Sequence, residues 1–495
     1  MRTKTKTINI LLFIFILLGS LLAAINFFHD RSLWLDEAYL ALNIANKPLK
    51  ELLIPLDYNQ VAPIGFLVIE KAFSAAFSNT DWSLRIFPML LFFSSIYFMY
   101  QVSFRTFKEK SFALFAAAFF CLSYYPMYYS SEVKQYMVDI FICLIVILFS
   151  LRFSTKNINN IWWQYGLVGI ISVWFSNISV ILLFSIGLFL LFNNRGKKEN
   201  YLAIIAIISL WVFSFATYYV LFIHNHPSKQ FMIDFWSNVN AFLPENILSK
   251  AFIQALYSKI VEVYKLFHYK LQIVFVLISI LGLFFLIKKK STSFIFLLLP
   301  LITHLVLSYF KLYPFHGRLI LYQYPILILL IVSCIYHLYS LLKPKIQQLA
   351  LYLLLIPLIL NIINLFHGNN FPFEKEEIKK SMTHLKMTLK DDELIYIHRR
   401  AFPAFLYYSS NYSRFRFFKN SDIMVCQSCT NKQIISVSDI EGINANVWIL
   451  FSHNDNKKNR DEEKFILALF KKNNFEIVEE YKYQGSSIYK AVKLE

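Results

Sequence analysis

Two adjacent carboxylates stand near the beginning of the chain, in the stretch 34–39, WLDEAY. They follow the first apolar run by only a few residues and are flanked by Trp, Leu and Tyr. Burial and a neighbouring like charge both raise a carboxyl pKa, which suits either Asp36 or Glu37 to accept a proton. Acids are also favoured at a helix N-terminus by the helix dipole, so residue chemistry alone supports both interpretations equally.

A second acid lies beside a cation in the stretch 128–136, YYSSEVKQY, immediately before another apolar run. As a functional site, Glu132 would be a second acid, and Lys134 could hold a phosphate. As a structural feature, the two would form an ion pair within an interfacial belt of tyrosines. Both interpretations stay open at this level.

An arginine follows in the stretch 313–319, YPFHGRL, at the end of a later apolar run. A guanidinium suits bidentate binding of phosphate, which makes Arg318 a candidate phosphate ligand. An arginine at this position could equally extend to the lipid headgroups.

Metal and nucleotide chemistry have weaker support. His224 and His226 could bind a divalent ion with a carboxylate, although polar interfacial residues are commoner. Cys426 and Cys429 favour a disulfide or two free thiols over half of a zinc site, since no second pair accompanies them. The sequence has neither a Gly-x-x-x-x-Gly-Lys loop nor an Asp-x-Asp pair, so nucleotide-dependent chemistry is disfavoured. No redox cofactor is expected, and a divalent metal ion is a possible cofactor.

The composition of the chain indicates the class of protein in which these residues are positioned. The 495-residue chain is 57% hydrophobic and only 16% charged, with mean hydropathy +0.49. Soluble domains are about 45–50% apolar and about 25% charged, so the composition indicates a membrane protein. The net charge of +18 comes mostly from short Lys/Arg clusters between apolar runs. Nucleic-acid binding would need one contiguous basic face, and we exclude it.

About eleven apolar runs have a length suited to a bilayer core, which needs roughly 20 residues per helix. They begin near Ile8, Leu84, Phe112, Tyr136, Trp162, Ile178, Tyr201, Leu271, Phe294, Leu319 and Leu349. We interpret Trp162–Phe192 as two short helices broken near Ser176-Asn177, with one long tilted helix as the alternative. The fold class predicted is therefore an α-helical polytopic membrane protein with about eleven transmembrane helices.

Basic clusters occur at every second junction between these runs, which the positive-inside rule assigns to the cytoplasm. The alternate segments then face outward: 29–83, 130–135, 224–270, 311–318 and the tail from His367. An uncleaved first run keeps the number of spans odd, so the tail is predicted to be extracytoplasmic.

The tail has mixed charges and short apolar runs, unlike the rest of the chain. Amphipathic helices are predicted at 376–390 and 461–473. Strands are predicted at 394–398, 447–452, 475–483 and 488–492. We therefore predict a transmembrane domain at 1–366, with outer loop 29–83 carrying the Asp-Glu motif, and a small α/β domain at 367–495.

The ordered set of outward motifs resembles the GT-C membrane glycosyltransferases. The matching segments are WLDEA at 34–38, NQVAP at 59–63, LRIFP at 84–88 and SEVKQY at 131–136. Most similar are bacterial relatives of the dolichyl-phosphate-mannose protein mannosyltransferases (glycosyltransferase family 39) and of the lipid A aminoarabinose transferase. The resemblance covers roughly residues 8–340, including the predicted topology, but not the tail.

The resemblance implies that Asp36 is the catalytic acid/base and that Glu37 shares its site, with Glu132 a further catalytic candidate. It implies that the segment around Glu132 and Lys134 helps form the donor pocket and that Arg318 or Arg85 contacts phosphate. Lys134 stands where the family leads us to expect Arg. Further candidates for substrate binding are Gln60, Tyr136 and His316.

The activity implied is transfer of a sugar from a polyprenyl-phosphate donor to an acceptor hydroxyl on the extracytoplasmic side, by single displacement. The acceptor could be a protein, a lipid or a glycan of the cell envelope, and the location implied is a bacterial inner membrane. Alternatives are a transporter or flippase of a lipid-linked substrate, a lipid-linked polysaccharide polymerase or ligase, and a membrane scaffold. Intramembrane charges would mark a transport pathway, but most acids here cluster at the predicted outer edge.

Overall fold

The computed structural model describes residues 2–153, 158–267, 271–289, 293–367, 371–420, 423–425, 440 and 443–494. Helices dominate as far as residue 366. They are α1 (Arg2–Phe28), α2 (Leu35–Asn46), α3 (Ile64–Ala76), α4 (Ile86–Phe107), α5 (Lys110–Cys121), α6 (Tyr124–Tyr129), α7 (Tyr136–Phe153), α8 (Trp162–Phe175), α9 (Ser179–Asn193), α10 (Lys198–Tyr218), α11 (Lys229–Asn238), α12 (Lys250–Lys265), α13 (Gln272–Lys288), α14 (Ser293–Tyr309), α15 (Tyr324–Ser340), α16 (Pro344–Ala350) and α17 (Leu355–Phe366).

Among the described residues, five helical stretches are long and apolar enough to cross a membrane. They are Thr5–Phe28, Ser83–Phe107, Lys198–Ile223, Gly317–Ser340 and Pro344–Phe366. Shorter apolar helices are Lys110–Cys121, Ser179–Asn193, Gln272–Lys288 and Phe296–Tyr309. The predicted helical membrane protein is confirmed, and the number of eleven spans stays a prediction.

The predicted break in Trp162–Phe192 is also confirmed, because α8 ends at Phe175 and α9 begins at Ser179. Polar partners occupy this interruption. The Ser176 hydroxyl donates to Asp139 at 2.6 Å, and the Tyr218 hydroxyl donates to Asn177 at 3.1 Å. These hydrogen bonds compensate polar groups that would otherwise be unsatisfied in an apolar setting.

The chain divides into two compact units. The first comprises Met1–Phe27, Lys50–Ile69 and Ile86–Asn369, and the second comprises Phe28–Leu49, Glu70–Arg85 and Asn370–Glu495. The second unit thus combines the tail with two segments of the predicted first outer loop. The predicted domains, 1–366 and 367–495, stay a prediction, because compactness alone does not establish which part folds independently.

The tail contains a five-stranded sheet in the order β2-β1-β3-β5-β4. The strands are β1 (Leu394–Ile397), β2 (Ile423–Val425), β3 (Val447–Ser452), β4 (Phe475–Tyr483) and β5 (Ser486–Lys493). β1 pairs in parallel with β2 and β3, while β5 pairs antiparallel with β3 and β4. Every residue of the central strand β3 is buried, as expected for a strand covered on both faces.

Among the described residues of the tail, three α-helices accompany this sheet: α18 (Ile378–Thr388), α19 (Phe402–Asn411) and α20 (Lys457–Lys472). The Asn456 side chain caps α20 by accepting from the Asn459 amide at 3.0 Å, and Ile466 and Phe470 enter the tail core. The predicted α/β tail is confirmed in the type of its elements. Strand β2 is too short to give a pattern, and α19 was not predicted. Cys426 and Cys429 lie outside the described residues.

Candidate active site

Asp36 and Glu37 lie in the first turn of α2, directly after Trp34. The backbone amides of a first helical turn have no partner within the helix, and acids there are favoured by the dipole. The Trp34 amide lies 3.4 Å from Glu37 Oε2, the geometry of a helix cap. The helix-start interpretation of the two acids is therefore correct, and it leaves open the chemistry of either acid.

Glu37 is fully buried and pairs with two arginines of the same unit. Arg85 Nη2 lies 3.1 Å from Glu37 Oε2 and 3.2 Å from Oε1, and Arg31 Nη2 lies 3.5 Å from Oε1. Arg85 also donates to the carbonyl of Arg31 at 2.8 Å. The Glu37 carboxylate compensates the two guanidinium charges, which would strongly destabilise the fold if they were left unpaired in a low-dielectric interior.

Asp36 has a different environment although it is the neighbouring residue. Successive side chains leave an α-helix about 100° apart, so adjacent residues face different directions. Glu37 points into the buried ionic cluster, while Asp36 remains partly exposed. Of the two acids, Asp36 is therefore the more exposed residue, although its Oδ2 atom is buried.

A second ionic cluster lies in the same unit and was not predicted from the sequence. Asp81 is fully buried, accepts from the Tyr408 hydroxyl at 3.0 Å and pairs with Lys379 at 3.0 Å. The Tyr412 hydroxyl also donates to Asp81. Burial alone would raise the pKa of Asp81, but the charges of Lys379 and Arg85 and the Tyr412 hydroxyl hold this pKa below its usual value. This cluster joins residues more than 300 positions apart in sequence, so no local pattern could reveal it.

In the first unit, Lys134 and Gln60 are hydrogen-bonded. Lys134 Nζ donates to Gln60 Oε1 at 2.8 Å, and both side chains are buried. Glu132, which shortly precedes Lys134 in the sequence, is also buried. Its backbone carbonyl accepts from the Lys134 amide at 2.7 Å. The tight turn 132–134 therefore presents the ammonium group to Gln60 from a short segment between α6 and α7.

Arg318 lies in the 3₁₀ segment Gly317–Gln323 that leads into α15. Its guanidinium carbon is 5.4 Å from the centroid of the Tyr136 ring, within the range of a cation–π contact. Arg318 and Tyr136 are separate candidates in the sequence, and the structure brings them together. Their proposed roles in substrate binding stay predictions.

Glu262 on α12 holds the residues that precede Arg318. Its Oε1 accepts from the Gly317 amide at 2.7 Å and lies 2.7 Å from His316 Nδ1. Burial opposes its ionisation, but His316 and the Gly317 amide keep the Glu262 pKa below its usual value. Gly317 has φ +50, a conformation that glycine adopts without strain. Glu262 was not predicted from the sequence, because Gly317 and His316 lie more than 50 residues away from it.

His224 and His226 follow the end of α10. His226 Nδ1 accepts from the Ser228 amide at 3.2 Å, and burial lowers the pKa of its imidazole. Across the part of the chain that the structure describes, no group of three or more His, Cys, Asp and Glu side chains could hold a metal ion.

Comparison with known proteins identifies similar sequences and folds. A family model described as dolichyl-phosphate-mannose-protein mannosyltransferase matches residues 61–219. The crystal structure of ArnT from Cupriavidus metallidurans bound to undecaprenyl phosphate has a TM-score of 0.53 and 10% sequence identity, covering 96% of this chain and 97% of that chain. The apo structure of the same protein has a TM-score of 0.51, with the same identity and coverage. A comparison with curated proteins gives no match.

The structural comparison and the family model support different conclusions. At 10% identity, the likeness to ArnT establishes the fold, and it extends over nearly the whole chain. The family model adds sequence similarity over less than half of the chain. Together they confirm the predicted resemblance to the GT-C membrane glycosyltransferases.

Proposed function

We propose that this chain, a GT-C-type membrane glycosyltransferase, transfers a sugar from a polyprenyl-phosphate donor to an acceptor hydroxyl on the extracytoplasmic side of the membrane. The observation that carries the proposal is the difference in environment between two neighbouring acids, Asp36 and Glu37. Glu37 is buried between Arg31 and Arg85, while Asp36 remains partly exposed at the start of α2. The pair thus provides one buried, charge-paired carboxylate and one acid that is partly exposed.

The donor class is supported by the comparisons. The matching family model is described by a dolichyl-phosphate-linked sugar donor, and one ArnT structure was solved with undecaprenyl phosphate. Both are polyprenyl phosphates, and we extend this chemistry to the present chain. The sugar transferred is a hexose or a pentose.

In the proposed reaction, the acceptor hydroxyl attacks the anomeric carbon while its proton passes to the Asp36 carboxylate. The new carbon–oxygen bond forms as the bond between the anomeric carbon and the phosphate oxygen breaks. The electron pair of the broken bond leaves with the polyprenyl phosphate. A positioned general base typically contributes about 10²–10⁴-fold to such a step.

Lys134 and Arg318 are proposed to stabilise the leaving phosphate. Lys134 is buried and hydrogen-bonded to Gln60, and Arg318 lies over the face of Tyr136, so both cations are held in defined positions. Cations placed where negative charge develops lower the barrier most effectively when water is excluded. Arg85 is the less suitable phosphate ligand, because its donors already contact Glu37 and backbone carbonyls.

A transporter or flippase would move the same class of lipid without breaking a bond. We therefore test chemistry directly, with purified protein, synthetic polyprenyl-phosphate sugars and a lipid extract of the cell envelope. The proposal predicts release of free polyprenyl phosphate together with a glycosylated acceptor. A donor that stays chemically intact, or turnover only with nucleotide sugars, would contradict it. Parallel reactions with EDTA test whether a divalent ion takes part.

Two further experiments address the acceptor and the sidedness. Mass spectrometry of envelope glycans and glycolipids, with and without the gene, should reveal a sugar that depends on this protein. A polymerase or ligase would instead change the length or attachment of a polysaccharide. For sidedness, a reporter fused after Glu495 should be active only outside the cytoplasm, and a reporter active only inside would contradict the proposed topology.

A further inference from the structure

A short segment of the tail, 374–377, contacts the beginning of α2 within the second unit. Glu376 Oε1 lies 3.4 Å from the Leu35 amide, one of the first-turn donors that have no partner inside the helix. Glu376 itself is 1% exposed. A buried tail carboxylate therefore lies at the backbone of the residue immediately before Asp36.

The same segment holds Trp34, the residue that precedes α2. Lys375 Nζ is 3.1 Å from the centroid of the Trp34 ring, a close cation–π contact. The His453 ring stacks on Trp34 with centroids 6.0 Å apart and an interplanar angle of 22°. Trp34 is thus held by two residues of the tail, and it is only 8% exposed.

Glu376 is in turn oriented by strand β3 and the residue after it. Its Oε2 accepts from the Ser452 hydroxyl at 2.8 Å, and its Oε1 lies 2.6 Å from His453 Nδ1. A side chain with several fixed partners has few alternative rotamers. The carboxylate is therefore held in position for its contact with α2.

The turn between β4 and β5 holds the backbone of the segment. Gln484 donates to the carbonyl of Glu374 at 2.7 Å, and the amide of Glu377 donates to the carbonyl of Gln484 at 2.8 Å. Gly485 has φ +62, and a Cβ at this position would lie 2.2 Å from the carbonyl oxygen of Lys375. Only glycine permits this close approach.

We infer that Glu376 is a positioning residue for Asp36, so that the tail sets the geometry of the proposed general base. This inference rests on the proposed function. Loss of Glu376 leaves the start of α2 without its tail carboxylate and allows the Asp36 carboxylate to shift. A displacement of about 1 Å in a reacting group can reduce a rate by about 10²-fold.

The test compares Glu376→Ala and Glu376→Gln by steady-state transfer with the lipid-linked donor. We expect Glu376→Ala to lower kcat by about ten- to a hundredfold with little change in the donor KM, since donor binding is not altered. Glu376→Gln should recover much of the rate, because its amide oxygen can still accept from Leu35. The matched control is Glu463→Ala, which removes another buried tail carboxylate whose partners are tail residues such as Ser487 and Tyr489. Its kcat should stay near that of the wild type.

A double-mutant cycle separates this inference from the proposed function. In the Asp36→Asn background, Glu376→Ala should change the residual rate less than twofold, because it acts through Asp36. A normal kcat in both Glu376 variants, with Asp36→Asn inactive, would overturn the inference and leave the proposed base intact. An equal loss in Glu463→Ala would also overturn it, since the effect would then be general tail destabilisation. Wild-type activity in Asp36→Asn would instead refute the proposed base itself.

Discussion

Arg85 and Glu37 form a buried ion pair, with Arg85 Nη2 3.1 Å from one carboxylate oxygen and 3.2 Å from the other. The two residues are 48 positions apart, so the pair joins the start of α2 to the segment that precedes α4. Arg31 adds a second guanidinium to the same carboxylate. Glu37 is thereby suited to hold the structure around Asp36, whatever further part it has in catalysis.

The first prediction concerns this pair. Glu37→Gln removes a buried carboxylate that is paired with two guanidiniums, which should destabilise the protein by about 3–5 kcal/mol. Thermal unfolding in detergent measures this effect. The control is Glu51→Gln, which makes the same change at an exposed glutamate. Unchanged stability with a complete loss of transfer would mean that Glu37 acts mainly in catalysis.

The second prediction concerns Lys134 and its partner Gln60. A charge-assisted hydrogen bond to phosphate contributes about 1.5–3 kcal/mol, so Lys134→Ala should weaken apparent donor affinity by about ten- to a hundredfold. Lys134→Arg should be mild, since Arg is the residue expected there from the family resemblance. Gln60→Ala should have a smaller effect of the same kind, because it only orients the ammonium group. Normal donor kinetics in Lys134→Ala would exclude this lysine from the phosphate site.

The third prediction separates the guanidinium of Arg318 from its aromatic contact. Arg318→Lys should recover only part of the loss seen in Arg318→Ala, because an ammonium group cannot form a bidentate contact with phosphate. Tyr136→Phe keeps the ring beneath Arg318 and should behave like the wild type, whereas Tyr136→Leu removes the cation–π contact. The donor KM of the four variants provides the test. A wild-type donor KM in all four variants would show that Arg318 is an interfacial anchor.

The fourth prediction concerns Glu374. Burial raises the pKa of this carboxyl from 4.5 to about 7, although the positive charge of Arg31 acts to lower it. The protonated form is favoured in the folded protein, so the stability gained from it is complete below about pH 4.5 and is lost as the pH rises through about 7. Glu374→Gln mimics the protonated form. Its melting temperature should therefore fall less than that of the wild type between about pH 5 and pH 8. Parallel curves for the two proteins would contradict this assignment.

Much of the fold could be predicted from the sequence, because apolar runs and short-range periodicity report local structure. All eleven apolar runs lie in helical segments, and the break at Ser176-Asn177 and the predicted tail elements are present. The grouping of the loop segments 28–49 and 70–85 with the tail could not be predicted. It depends on contacts such as Tyr408 with Asp81, which are 327 positions apart and leave no periodic pattern.

The candidate site was predictable only in part, for a related reason. Residue type alone singles out Asp36 and Glu37 without separating them, and the order of the motifs assigns the base to Asp36 only through the family resemblance. Their difference arises because Arg85 lies on one side of α2 and draws Glu37 into the interior. Likewise, Glu262 and Glu376 hold backbone amides from distant segments, and an isolated acid in a helix or loop does not reveal such a partner.

The fifth prediction concerns Asp36, and the most direct measurement is the rate of sugar transfer by purified Asp36→Asn with a polyprenyl-phosphate donor. The substitution keeps the size of the side chain and removes the base, so the rate should fall about 10²–10⁴-fold while the melting temperature stays that of the wild type. The donor should still bind, which isolates the loss in the chemical step. Transfer at the wild-type rate by a folded Asp36→Asn protein would contradict the central claim that this carboxylate takes the proton of the acceptor.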